Sequence, residues 1–96
     1  MSAYCLFDNL EVLDVAKLEE YKQQAAPLVE QYGGRYVVLG GKVDLMEGNW
    51  RPTFPVMIEF PSLERAHEWY SSAEYAPLKA LRLSAMRSNA VFMDGL

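Results

Sequence analysis

The sequence predicts an α+β sandwich of the ferredoxin-like type, an antiparallel sheet with its helices on one face. Three observations carry this. Stretches of alternating apolar residues recur at Ala3–Val12, Arg35–Glu47, Thr53–Phe60 and Asn89–Asp94. Stripes at helical spacing follow the first and third of them. The resulting order, strand, helix, strand, strand, helix, strand, is the split βαβ pattern.

In the first strand Tyr4, Leu6 and Asp8 point one way, and Cys5, Phe7 and Asn9 the other. Asp14 then caps a helix beginning at Val15, because its carboxylate can accept from the first free N–H groups. Val15, Leu18, Tyr21, Ala25, Leu28, Val29 and Tyr32 form the apolar stripe of that helix. Pro27 lies inside the stripe and predicts a bend near Lys22 to Ala26. Gly33-Gly34 ends the helix.

The second strand is expected over Arg35 to Glu47, with a bulge or close backbone approach at Gly40-Gly41. Glu47 to Pro52 reads as a hairpin loop. Thr53 to Tyr75 organises the chain. Phe54, Val56, Ile58 and Phe60 share one strand face, and Pro55, Met57 and Glu59 the other. Pro55 predicts a strand that starts late or has an unpaired edge. Pro61 stops the ladder, and Ser62 caps a helix whose face is Leu63, Ala66, Trp69 and Tyr70. Ser71-Ser72 breaks it. A last helix places Tyr75, Leu78, Leu81 and Ala85 on one face, with Pro77 near its start. The final strand spans Asn89 to Asp94.

Both faces of the sheet carry apolar residues, and the helices cover only one. The second face, with Val37 or Val38 and Met57, is too apolar to stay wet. An isologous homodimer of two such sheets closes an α+β barrel and covers it.

Ninety-six residues make a single domain, 1–96, with a modest core. A net charge of −4 with scattered basic residues argues against nucleic acid and anionic membrane as partners. No apolar run approaches a membrane span, and the N-terminus lacks the pattern of a secretory signal. The single cysteine, Cys5, excludes an intrachain disulfide and fits a cytoplasmic location.

The words Y-G-G-R (32–35), G-G (40–41), E-G-N-W-R-P (47–52), I-E-F-P-S (58–62), W-Y (69–70) and E-Y (74–75) stand together. In that combination the chain, from Tyr21 to Gly95, resembles a bacterial family known only as domain of unknown function 1330. The family is similar to the dimeric α+β barrel superfamily. The resemblance implies the ferredoxin-like fold and the dimer. It implies no settled activity, since the wider superfamily includes cofactor-free monooxygenases, decarboxylases, lactone isomerases, haem-degrading enzymes and stress-response proteins.

Glu59 is the first candidate for chemistry. A mid-strand carboxylate between Ile58 and Phe60 needs a partner or a raised pKa. It is either a general base or one half of an ion pair with Arg35, Arg82 or another arginine, and buried carboxylates are usually paired. Arg35, Tyr70 and Arg82 complete the catalytic candidates. Tyr21, Trp50, Trp69 and Tyr75 are ligand-binding candidates, because they combine apolar area with a polar tip. They read first as core and dimer-interface packing; as a pocket they suit a flat or acyl ligand, with Arg35 or Arg82 holding an anionic group. Trp50, in a hairpin loop, calls for cover from a partner subunit or acts as a lid. His67, the only histidine, lies off the apolar helix face; no metal-ligand spacing recurs, and no metal or cofactor is expected. Neither glycine pair has the spacing of a phosphate loop. A haem-handling enzyme would have only His67 as ligand.

Two functional readings follow. One is a homodimer that binds a small organic compound in an aromatic pocket, including its cofactor-free turnover. The other is a non-catalytic dimeric binding or structural module.

Overall fold

A computed structural model describes residues 1–96. The elements are β1 (Ala3–Val12), α1 (Val15–Gln31), β2 (Arg35–Leu39), β3 (Pro55–Phe60), α2 (Leu63–Tyr70), α3 (Ala76–Ala85) and β4 (Met86–Asp94). The four strands form one antiparallel sheet in the order β2-β3-β1-β4. This is the ferredoxin-like arrangement, with the second crossover helix broken into α2 and α3.

Local chemistry sets the helix starts. Asp14 Oδ1 accepts from the Lys17 backbone N–H at 3.0 Å, and Ser62 Oγ from that of Arg65 at 3.1 Å. Gly33, at φ +84°, turns the chain out of α1, and the Gly33 and Gly34 N–H groups close on the carbonyls of Glu30 and Val29. Helix α1 continues through Pro27 without a break. Pro27 sits on the exposed side of the helix, so its ring meets solvent rather than core.

The register sorts the side chains. Cys5, Phe7, Ile58 and Phe60 face the helices and are buried with Val29 and Ala66. The opposite face carries Tyr4, Leu6, Val38, Met57, Val91 and Met93. No helix covers it, and Val91 and Met93 remain 52% and 42% exposed.

Three boundaries differ from the sequence expectation. Strand β2 ends at Leu39, not Glu47, because Gly40 takes φ +68° and turns the chain away. The Phe54 ring lies where a Gly40 side chain would start, so glycine is required for two reasons. The expected irregularity falls instead between Tyr36 and Val38. Phe54 precedes β3, which begins at Pro55, the position where a strand tolerates proline. Strand β4 starts three residues early, directly after α3, where the Leu13 and Asp14 N–H groups hold the Ala85 carbonyl.

Candidate functional site

The sheet separates the candidate residues into two groups. On the uncovered face, Arg35 and Glu59 are register partners of β2 and β3, and Arg35 Nε lies 2.8 Å from Glu59 Oε1. The Tyr4 hydroxyl donates to Glu59 Oε2 at 3.3 Å. Hydrogen bonding from Ser2, then from Arg35 and Tyr4, holds the Glu59 carboxyl below its usual range, against a smaller opposing effect of burial. A carboxylate so held is a poor general base at neutral pH. The ion-pair reading of Glu59 therefore describes its geometry. Its partner is Arg35 and not Arg82, which lies across the sheet.

At the other end of that face Asp8 is buried and accepts from the Thr53 N–H at 2.9 Å and from Trp50 Nε1 at 3.3 Å. These bonds pin the 40–54 connection to the sheet. Trp50, still 61% exposed, is tethered to this face through Asp8 and stacks with none of the other aromatic candidates.

The helix side gathers the rest. Trp69, fully buried, stacks on Tyr75 with ring centroids 4.4 Å apart and on Phe60 at 5.4 Å. Tyr70 packs edge-on to Phe92 and lies under the Lys79 ammonium, 4.3 Å from its ring. The Tyr21 and Tyr75 hydroxyls hydrogen-bond each other at 2.9 Å, tying α1 to the start of α3. Arg82 reaches inward from α3. Only 4% exposed, it lies over the Phe7 ring at 5.1 Å and donates Nη1 to Ser88 Oγ at 2.9 Å. No ion pair of the chain includes it. Its Nε and the Trp69 Nε1 are buried donors without an acceptor.

Both anomalies are costly in a closed core. A buried donor left unpaired costs about 1–3 kcal/mol, and an unpaired charge more. Two interior phenols, Tyr21 and Tyr36, are held neutral. Burial pushes Tyr21 far up, with Tyr75 adding to the rise and the Arg82 charge opposing it. Burial and then Tyr75 push Tyr36 up to about 12. Cys5 is likewise pushed up to about 12 by burial, so it is no thiolate nucleophile. The interior thus offers a fixed cation, neutral hydroxyl donors and flat apolar walls. It holds no carboxylate or imidazole to withdraw a proton, since Glu59 is across the sheet and His67 is exposed. No group of three His, Cys, Asp or Glu side chains is placed to hold a metal ion.

Of the eight candidates, the fold brings together Tyr21, Trp69, Tyr70, Tyr75 and Arg82. It sets Arg35, Glu59 and Trp50 apart. Tyr36 and Ser88 join the group unforeseen. Tyr36 was legible only as an apolar strand residue, and its neighbours depend on a register that is invisible locally. Outside this group, Glu20, Gln24, Pro27, Glu74 and Leu81 line a groove of about 520 Å³ along the seam of α1 and α3, floored by Leu28 and Leu78.

The model of the family described as domain of unknown function (DUF1330) matches residues 2–96. The chain belongs to the DUF1330 family. No curated protein matches it in sequence. Among solved structures, this DUF1330 chain is similar to RPA0582, a protein of unknown function from Rhodopseudomonas palustris. The TM-score is 0.78 at 18% identity, covering 99% of this chain and 82% of that one. It is also similar to SnoaB, a cofactor-independent oxygenase from Streptomyces nogalater, with TM-score 0.60, 11% identity and coverage of 99% and 91%. A conserved protein from Methanosarcina mazei Go1 gives 0.59 at 11%, covering 100% and 94%. At such identities these likenesses establish the shared α+β fold and nothing of activity. No helix of the chain is long and apolar enough to cross a membrane.

Proposed function

We propose that the protein is a cytoplasmic homodimer that binds a small organic molecule between its sheet and its helices. One observation carries the binding: two buried donors, Arg82 Nε and Trp69 Nε1, lack acceptors within an aromatic layer. Native interiors rarely leave such groups unpaired, and a ligand's acceptors would satisfy them. Tyr21, Trp69, Tyr70 and Tyr75 form the walls and Arg82 the polar end. Arg35 and Glu59 brace the β2–β3 edge and take no part in the chemistry.

The dimer rests on the uncovered sheet face. Leu6, Val38, Met57, Val91 and Met93 make it apolar, and a second copy placed face to face buries both. Turnover without a cofactor is the finer form of this reading, supported by likeness to a cofactor-independent oxygenase. A binding module without turnover is the second reading. It is favoured by the lack of any interior group placed to take a proton.

A native mass spectrum of the purified protein tests both parts. The expected result is a dimer that gains one discrete mass per subunit when a mixture of small aromatic and acyl compounds is added. A monomer would remove the face-to-face dimer. A dimer that retains none of the compounds would remove the binding site.

A further inference from the structure

The geometry points to a monocarboxylate as the ligand's polar group, held side-on by the Nε–Nη2 edge of Arg82 inside the aromatic layer. This rests on the reading above that a small molecule enters that layer, and it names the chemistry by which the molecule is held.

A guanidinium presents donors along defined edges. The Nε–H and one Nη2–H point the same way and match the two oxygens of a carboxylate. In Arg82, Nη1 is committed to Ser88, and Nε has no partner. The committed nitrogen therefore lies off the side-on edge, and that edge is the one left over. Ser88 also fixes the rotation of the planar group, so the edge is pre-set rather than adaptable.

Charge arithmetic selects the anion. Arg82 is 96% buried and has no carboxylate partner in the chain, so the interior holds one uncompensated positive charge. A monoanion neutralises it. A phosphate near its dianionic form would leave a net buried negative charge. Lys79 is engaged with the Tyr70 ring and the Tyr70 carbonyl. A neutral amide would fill the edge with one oxygen and leave the charge unpaired. Phe7 on one side of the guanidinium and the Trp69–Tyr75 stack nearby suit a flat or short acyl body behind the carboxylate. The acidic groove between α1 and α3, rimmed by Glu20 and Glu74, repels such an anion and is not its site.

Matched pairs of probes test this: benzoate with benzamide, and hexanoate with hexanamide, titrated calorimetrically into wild-type protein, Arg82→Met and Arg82→Lys. The expected result is at least tenfold preference for one acid over its amide in the wild type. That preference falls to about one in Arg82→Met, whose folding is verified by its amide NMR spectrum. Arg82→Lys keeps a charge but loses the fork, and retains only part of the preference. Equal binding of acid and amide, or an unchanged preference in Arg82→Met, overturns the carboxylate assignment and leaves the small-molecule reading standing. No binding by any of the four overturns both, and the Arg82 edge is then satisfied by solvent alone.

Discussion

Replacing Arg82 by methionine separates a residue kept for a ligand from one kept for the fold. The substitution removes a charge-assisted hydrogen bond to Ser88, a type of bond that contributes about 1.5–3 kcal/mol. It also removes a cation–π contact with Phe7, about 0.5–2 kcal/mol. Against these stands relief of the desolvation of an unpaired buried charge, several kcal/mol in real proteins. Methionine refills most of the volume with a flexible apolar chain. The opposing contributions are of similar size, so the net change is small, within about 2 kcal/mol of zero. For a domain of this length 1 kcal/mol moves Tm by about 4–8 °C. Arg82→Met should therefore melt within about 15 °C of wild type, in either direction, while carboxylate binding disappears. Differential scanning calorimetry reads the first quantity and the titrations above the second. If Arg82 were the structural keystone of the helix–sheet interface, its removal would cost about 3–5 kcal/mol, as breaking a buried pair does. A fall in Tm beyond 20 °C, with matching loss of the native NMR spectrum, would refute the reasoning.

Three further outcomes follow from other parts of the molecule. Val91→Lys places a charge on the uncovered sheet face and should convert the proposed dimer to monomer with an unchanged far-ultraviolet circular dichroism spectrum; a dimer of undiminished affinity would place the interface elsewhere. Glu59 ionises more readily folded than unfolded, so its contribution is complete above the unfolded value near 4.5 and is lost as pH falls through the lower folded value. Acid unfolding of Glu59→Gln should then show a shallower dependence below pH 4.5 than wild type, and an unchanged profile would mean the Arg35 pair is not maintained in solution. Asp8→Ala removes the acceptor of Thr53 and Trp50; hydrogen exchange over residues 49–54 should accelerate at least tenfold while the β1–β4 ladder stays protected, and unaltered exchange would show that the loop is held by something else.

Much of this fold is legible in the sequence because its signals are local. The alternation in Ala3–Val12, the caps Asp14 and Ser62 and the stop at Gly33 depend on neighbours within a few residues, and each is found where the pattern puts it. The end of β2 was misplaced because Gly40 reads as a bulge or as a turn until the Phe54 ring is known to lie against it. The start of β4 had no marker, since no glycine or proline separates Ala85 from Met86.

The site is less legible, for a physical reason. Arg82 lies four residues after Leu78 and three before Ala85, on the same buried face. The helical spacing was there to be read, but a charged residue at a core position looks like a boundary of the stripe rather than a member. Strand parity already set Glu59 in the Met57 row, and the register with Arg35 puts both on the uncovered face, apart from Tyr70 and Arg82. The Ile58 row faces the helices.

The most direct test follows the indole N–H of Trp69 by ¹H–¹⁵N NMR during titration with hexanoate and benzoate. Trp69 is fully buried, its Nε1 has no acceptor in the chain, and Trp50 on the opposite side supplies an internal control. The expected result is a saturable shift of the Trp69 indole together with amides of Tyr21, Tyr75 and Arg82, while Trp50 stays fixed. Saturable shifts confined to Trp50 and the uncovered sheet face, or none at millimolar ligand, would contradict a binding site between sheet and helices.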